Sequence, residues 1–414
     1  MTARTVPALA LALALCGCGS PQPRMQSGLR HAYRAWVTTS AGDRIPFLLE
    51  LPANCNTDRA AIVNGTERIS IPCQRLGGRV MLDFVVYGTR IAADIDARGS
   101  LTGQWSHAGG NFPSNDRVRF DAQPLDRLDP ERRFALDAAG PQAESGRASI
   151  AGTWRLEFQS REPAKAVFQM AGEHVVHGTA EVPSEYGDLR YLAGTLRGSS
   201  LLLSTFDGTG AYLVRGRLEA DDRMHGELIR ADGTRDAFTA VRSPDFEVID
   251  PLRRMQVTSA ETRLDFAPLL TPRYAGKPVI VELFGTWCSN CNDLAPLLAE
   301  LYATHRKDGL EILSVAFELS ADESFLNDRL AEYKAAHGVE WEVMVAAVPP
   351  EELLSAGPAR LSAVSGVPVT LFFNRDRTIR AIYTGFSGPA TGAGHQKAIA
   401  TFRELTNRIL ASRP

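Results

Sequence analysis

Val279-Ile-Val-Glu-Leu-Phe-Gly-Thr-Trp-Cys-Ser-Asn-Cys291 is the stretch that decides how the C-terminal part of this chain folds. An apolar run, interrupted only by Glu282, leads within four residues to Cys288, with Cys291 following after two intervening residues. An amphipathic helical pattern then extends over about 292–302. A buried strand running into a helix puts the first thiol at a helix N-terminus, where unpaired backbone N–H groups and the dipole favour an anion. A thiolate held beside a second thiol can attack a disulfide, form a mixed disulfide and be released by its neighbour. The pattern predicts thiol–disulfide exchange.

Outward from this stretch the rhythm is strand–helix–strand. Strand candidates at 279–284, 310–317, 341–346, 369–373 and 378–383 alternate with helix candidates near 292–302, 323–337 and 396–410. Asn374-Arg-Asp-Arg377 would turn the last two strands into an antiparallel hairpin. That is an α/β layer domain, expected over 262–414. Upstream, residues 29–243 read as an all-β region, a barrel or a sandwich. Short apolar runs (47–51, 80–86, 201–203) are joined by the hairpin signals Asn64-Gly65, Asp207-Gly208 and Asp232-Gly233. Two stretches ending in Gly-x-Trp, at Trp105 and Trp154, suggest two related units, about 29–120 and 148–243, joined by the polar stretch 121–147. Each tryptophan is read as a plug in a sheet core. Residues 244–261, with Asp250-Pro251 and a run of charges, form a linker.

The segment from about Asp265 onward resembles the thioredoxin superfamily, and within it the exported, membrane-anchored TlpA/ResA-like disulfide reductases. The resemblance rests on Trp287-Cys288-Ser289-Asn290-Cys291 after a buried strand and on Gly366-Val367-Pro368 before another, and it covers roughly the last third of the chain. It implies a thioredoxin-like fold with Cys288 as nucleophile and Cys291 as resolving thiol. It also implies a cis peptide before Pro368, packed on the cysteine pair, with the backbone of Gly366 and Val367 free to pair with substrate, while Trp287 shapes the exposed face. Glu282, six residues before Cys288, matches the family's buried acidic residue. There it would be desolvated, with a raised pKa, and could relay a proton to or from Cys291; the other reading is a solvated, edge-facing glutamate. Pro296 matches the proline that kinks the family's active-site helix.

The chain also departs from the family. TlpA/ResA-like proteins carry a glutamate six residues after the first cysteine, where this chain has Leu294 with Asp293 beside it. Ser289-Asn290 is neither the Gly-Pro of thioredoxin nor the Pro-His of strong oxidants. Since 30 mV corresponds to about 1.4 kcal/mol, such differences leave the direction of electron flow open. A peroxiredoxin-like thiol peroxidase is a rival reading, although Gly285 stands where that family needs threonine. The segment Thr384-Gly-Phe-Ser-Gly-Pro-Ala-Thr-Gly392 is either a substrate contact near the active-site edge or a Gly-rich turn into the last helix.

The N-terminus carries one charge, Arg4, before a short Ala/Leu run, 8–15, and then Cys16-Gly17-Cys18-Gly19. The run is too short to span a bilayer and suits a secretory signal with small residues at the cut. Leu15-Cys16-Gly17-Cys18 resembles a lipoprotein signal, over 1–18, with Cys18 as the lipidated residue and 19–28 as a tether. Gly19 is not the aspartate associated with inner-membrane retention, so a periplasm-facing, lipid-anchored protein of the outer membrane is expected. Of the other four cysteines, Cys55 and Cys73 flank a hairpin-like segment and are expected to form a structural disulfide in that oxidising compartment. Such a loop stabilises by about 3 kcal/mol in the chain-entropy model.

The remaining signals exclude more than they suggest. A net charge of −3 gives no footing for nucleic acid. His174 and His177 would point to opposite faces of a strand, so no metal site is expected. The redox centre would be the chain's own dithiol, with no bound cofactor. Expected partners are protein disulfides, a membrane electron donor and the lipid anchor. The reading from another class is an envelope ligand-binding lipoprotein whose thioredoxin-like domain senses redox state.

Overall fold

The computed structural model describes residues 30–107, 117–134, 149–159, 161–219, 222–255, 271–346 and 366–413. The signal, the tether and Cys18 lie outside these residues, as does the end of the linker expected at 244–261.

Alternating side chains dictate the first architecture. In Arg79–Phe84 every second residue is buried, the period that lets one face of a strand line a core while the other meets solvent. Eight such strands, from Arg30–Thr38 to Val118–Leu125, pair antiparallel with their sequence neighbours. The first closes on the eighth, giving an up-and-down barrel without free edges. Its interior is filled by side chains, among them Phe47, Leu82, Ile91, Trp105 and Phe120. Each large apolar side chain so buried is worth about 1.5–3 kcal/mol.

A second closed barrel follows. Its strands run from Gly152–Phe158 to Arg235–Arg242, which pair with each other to close the ring. A two-residue strand, Gly187–Asp188, hangs on Val175–Val182 outside the ring. Trp154, Phe168, Leu203 and Phe238 fill its core. The three hairpin signals all sit at turns, and their glycines, Gly65, Gly208 and Gly233, have φ of 60°, 98° and 87°. The two Gly-x-Trp stretches do not mark equivalent positions. Trp105 is in the seventh strand of the first barrel, Leu101–His107, and Trp154 in the first strand of the second.

The barrels share apolar core. Phe206, Ala211, Leu213 and Ile229 of the second barrel cluster with the interior of the first, and Phe206 stacks on Phe47 with ring centroids 4.3 Å apart. The hairpin joining Ser200–Phe206 to Ala211–Leu218 thus plugs one end of the first barrel, where Trp105 Nε1 donates to Gly208 O at 3.0 Å.

The C-terminal region is a five-stranded mixed sheet in the order Glu342–Val345, Glu311–Ala316, Val279–Phe284, Val369–Phe373, Ile379–Thr384. The helices are Ser289–His305, Glu323–His337 and Ala393–Leu410. Val279–Phe284 lies at the centre, parallel to Glu311–Ala316 and antiparallel to Val369–Phe373. All six of its residues are buried, which is why its sequence does not alternate. No described helix is long and apolar enough to cross a membrane.

Candidate active site

The central strand delivers the turn Gly285-Thr286-Trp287 and then Cys288. Cys288 N donates to Gly285 O at 3.1 Å, and Cys288 is the N-cap of helix Ser289–His305. Its Sγ accepts the Cys291 N–H at 3.2 Å, so this sulfur occupies the electropositive end of the helix. Cys288 and Cys291 are disulfide-bonded. Cys288 is 7% exposed and Cys291 wholly buried, so an incoming partner meets Cys288 first. Pro296 lies within the helix, as expected.

Three residues that the sequence did not single out hold this turn. Glu318 accepts both the Thr286 N–H and the Thr286 hydroxyl at 2.9 Å, and burial pushes its carboxyl up against the pull of those bonds. Asn292 Nδ2 donates to Thr286 O (3.0 Å) and Cys288 O (2.8 Å). Asn292 Oδ1 is therefore the accepting end, 2.7 Å from His337 Nε2, which must carry the proton. Burial lowers the His337 pKa to about 4, so the ring is neutral at neutral pH. No local pattern marks Glu318 or His337, because both reach the turn from elsewhere in the sheet-and-helix layer.

Glu282 is fully buried beneath the turn, which removes the solvated reading. Its Oε2 accepts from Ser314 Oγ at 2.6 Å, and Ser314 Oγ in turn accepts from Trp341 Nε1 at 2.8 Å. Its Oε1 has no hydrogen-bond partner among the described residues. Burial, opposed only by the Ser314 bond, raises the pKa to about 7. A carboxyl so poised can exchange a proton near neutral pH.

Across the site the Val367-Pro368 peptide is cis, and Val367 O lies 3.7 Å from Cys288 Sγ. Among family models, none matches the chain. Curated relatives match its last third. The thiol-disulfide oxidoreductase ResA of Geobacillus thermodenitrificans is 28% identical over 112 residues, 27% of this chain and 57% of that protein. The ResA of Oceanobacillus iheyensis is 24% identical over 143 residues, 34% of this chain and 66% of the relative. The chain thus spans little more than half the length of the first of these. Among solved structures, a thioredoxin-family thiol:disulfide interchange protein from Chlorobium tepidum TLS aligns with a TM-score of 0.26 and 22% identity, over 33% of this chain and 81% of its own. StoA from Bacillus subtilis aligns with a TM-score of 0.24 and 14% identity, over 32% and 84%.

The C-terminal third of the chain has a thioredoxin-like fold and is similar to thiol-disulfide oxidoreductases of the ResA type.

One expectation for this domain needs correction. Trp287, Gly366 and Val367 do not present an open face, because the second barrel covers it. The Tyr186 ring packs so closely that a Cβ on Gly366 would lie 2.6 Å from it. Thr209 Oγ1 donates to Trp287 O at 2.6 Å. Asp293, beside the departure at Leu294, is salt-bridged to Arg190 at 2.6 Å. Burial raises its pKa to about 6 despite that arginine. The Gly-rich segment after the last strand contacts the same barrel, with Phe386 N donating to Tyr186 O at 3.1 Å.

Outside the thioredoxin-like domain, the disulfide expected between Cys55 and Cys73 is not formed: the two are buried side by side as free thiols, with Cys73 Sγ 3.5 Å from Cys55 O. Among the described residues no group of three or more His, Cys, Asp or Glu could hold a metal ion.

Proposed function

We propose that this protein is a thiol–disulfide oxidoreductase acting on protein disulfides through Cys288 and Cys291. The observation that carries the reading is the placement of Cys288 Sγ. It caps a helix N-terminus, bonds to Cys291 and lies beside the Val367 carbonyl. In the reductive direction the Cys288 thiolate attacks one sulfur of a substrate disulfide and the other substrate sulfur leaves as a thiolate. Cys291, losing its proton to Glu282, then attacks the Cys288 sulfur and expels the second substrate thiolate. Two electrons pass to the substrate, which gains two protons in becoming a dithiol, and the Cys288–Cys291 disulfide is left for a membrane electron donor to reduce. Gly366, Val367 and Pro368 would align the substrate, and Trp287 would border it.

The N-terminal pattern supports export and lipid attachment at Cys18, which would hold the domain at the periplasmic face of the outer membrane. In that compartment Cys55 and Cys73, already adjacent, would be bridged. The filled barrel interiors favour this reading over a ligand-binding lipoprotein. The test is insulin reduction with dithiothreitol as reductant: wild type accelerates it and Cys288→Ser abolishes the acceleration. A mutant as active as wild type would end the assignment. The reduction potential of the dithiol then decides between reductant and oxidant.

A further inference from the structure

The barrels and the thioredoxin-like domain meet on the surface the proposed chemistry needs. The Val85–Gly88 turn of the first barrel also lies against Phe325 and Arg329 of helix Glu323–His337, with Arg329 donating to Val85 O. On the surface the chemistry needs, two pieces of the second barrel make the contact. The first is the segment from Val182 to Arg190. Tyr186 lies over Gly366, and a Cβ on Gly187 would come within 2.1 Å of the Asn290 amide inside the Cys-x-x-Cys turn. Gly187 pairs in a parallel bridge with Phe386, and buried Asp188 accepts the Gly388 N–H at 2.6 Å. The second piece is the hairpin whose Thr209 occupies the Trp287 carbonyl. Arg190 ties both pieces down. It bridges Asp293 of the active-site helix (2.6 Å), Glu67 of the first barrel (2.8 Å) and Asp207 of the hairpin (3.5 Å).

The quality of this seam differs from the rest of the molecule. The barrels are fused through a common apolar core. Among the described residues, the core of the thioredoxin-like domain takes in from the barrels only buried Tyr186 and, at its edge, Val86. The other named contacts are main-chain bonds, a hydroxyl, a guanidinium–carbonyl bond, side chains laid over Gly88 and Gly187, and ion pairs, the make-up of a separable interdomain interface rather than of a continuous core. Tyr186 and Arg190 both hold φ in the left-handed region (57° and 54°), a conformation that such side chains keep only where surrounding contacts impose it. A cavity of about 270 Å³ lies beside Tyr186, between Pro183, Pro251, Tyr383 and Phe386, so the contact is not packed to core density.

Resting on the oxidoreductase reading, we propose that Val182–Arg190 and the Thr209 hairpin form an intramolecular lid occupying the substrate face of the dithiol. A protein disulfide cannot approach Cys288 until the barrel pair swings away as one body. The reactive fraction is then the open fraction, and the observed rate is the intrinsic rate scaled by it.

Full-length reduced protein tests this through alkylation of Cys288 by a maleimide carrying a 5-kDa polyethylene glycol, followed at the Cys288 peptide by mass spectrometry. Hydrogen exchange at the Phe386 amide reports whether the lid is seated. Arg190→Gln should unprotect that amide, keep protection in the barrels and in the central strand, and speed labelling about tenfold. A tenfold gain corresponds to about 1.4 kcal/mol of closure. Should Arg190→Gln leave the amide protected, Gly187→Phe, whose ring cannot coexist with Asn290, is read the same way. Labelling at the wild-type rate in a variant whose Phe386 amide has opened would overturn the lid. The oxidoreductase reading fails separately, if opened variants label fast yet leave insulin unreduced.

Discussion

Glu282 stands six residues before Cys288 in a strand with no exposed position, and burial raises its pKa from 4.5 to about 7. The folded protein therefore keeps a proton that the unfolded chain gives up. The stability this group contributes is complete below pH 4.5 and is lost as pH rises through 7. Glu282→Gln cannot ionise, so it should gain on wild type between pH 5 and pH 8 by on the order of 3 kcal/mol in urea unfolding. Equal differences at the two pH values would count against a buried ionising carboxyl. The same variant should slow release of the mixed disulfide on the order of 10²-fold if Glu282 takes the Cys291 proton, read by stopped-flow mixing with a disulfide probe. His337 works in the opposite sense. Its pKa falls from 6.5 to about 4, so its contribution is present above 6.5 and lost as pH falls towards 4. His337→Gln should flatten the acid side of the stability profile, measured as melting temperature from pH 7 to pH 4. Glu282 was legible in the sequence through the resemblance, which places a buried acidic residue six before Cys288, and the fully buried strand Val279–Phe284 encloses it. His337 was not, since its partner Asn292 is 45 residues away and meets it only through the packing of two helices.

At the scale of elements, turn chemistry and strand runs carried the reading furthest. Asn64-Gly65, Asp207-Gly208 and Asp232-Gly233 all fall at hairpin turns, because each needs a residue that tolerates positive φ. The active-site helix begins at Ser289 rather than near 292, since the apolar periodicity starts only after the turn that Cys288 caps. The two Gly-x-Trp stretches pointed to two β units, and two barrels are there, but the stretches stand in different strands of them. A buried tryptophan after a small residue suits any strand that fills a barrel, so it says nothing about which strand. The hairpin carrying Gly208 makes a sharp test of how the barrels join. A Cβ there would lie 2.0 Å from the Phe84 ring at a φ of 98°, so Gly208→Ala should cost about 1–3 kcal/mol and lower the melting temperature. For the first barrel, non-reducing peptide mapping of exported protein should find Cys55 bridged to Cys73, and Cys73→Ser should cost about 3 kcal/mol in denaturant unfolding.

For the whole molecule, the sequence separated an all-β region from an α/β domain through the change from period-two runs to strand–helix alternation. It could not show that the barrels share a core or that the second one sits on the dithiol. Those contacts join Tyr186, Arg190 and Thr209 to residues from about 80 to 200 positions away, and none of the three stands in a pattern that announces a partner. The result is a molecule whose reactive sulfur is placed by one domain and covered by another. The central claim is that Cys288 performs disulfide exchange, and the most direct measurement is the turbidity time course of insulin reduction by dithiothreitol with catalytic amounts of full-length protein. Wild type should shorten the lag and Cys288→Ser should match the protein-free control. A wild-type trace that matches that control, or a Cys288→Ser trace that matches wild type, would contradict the account.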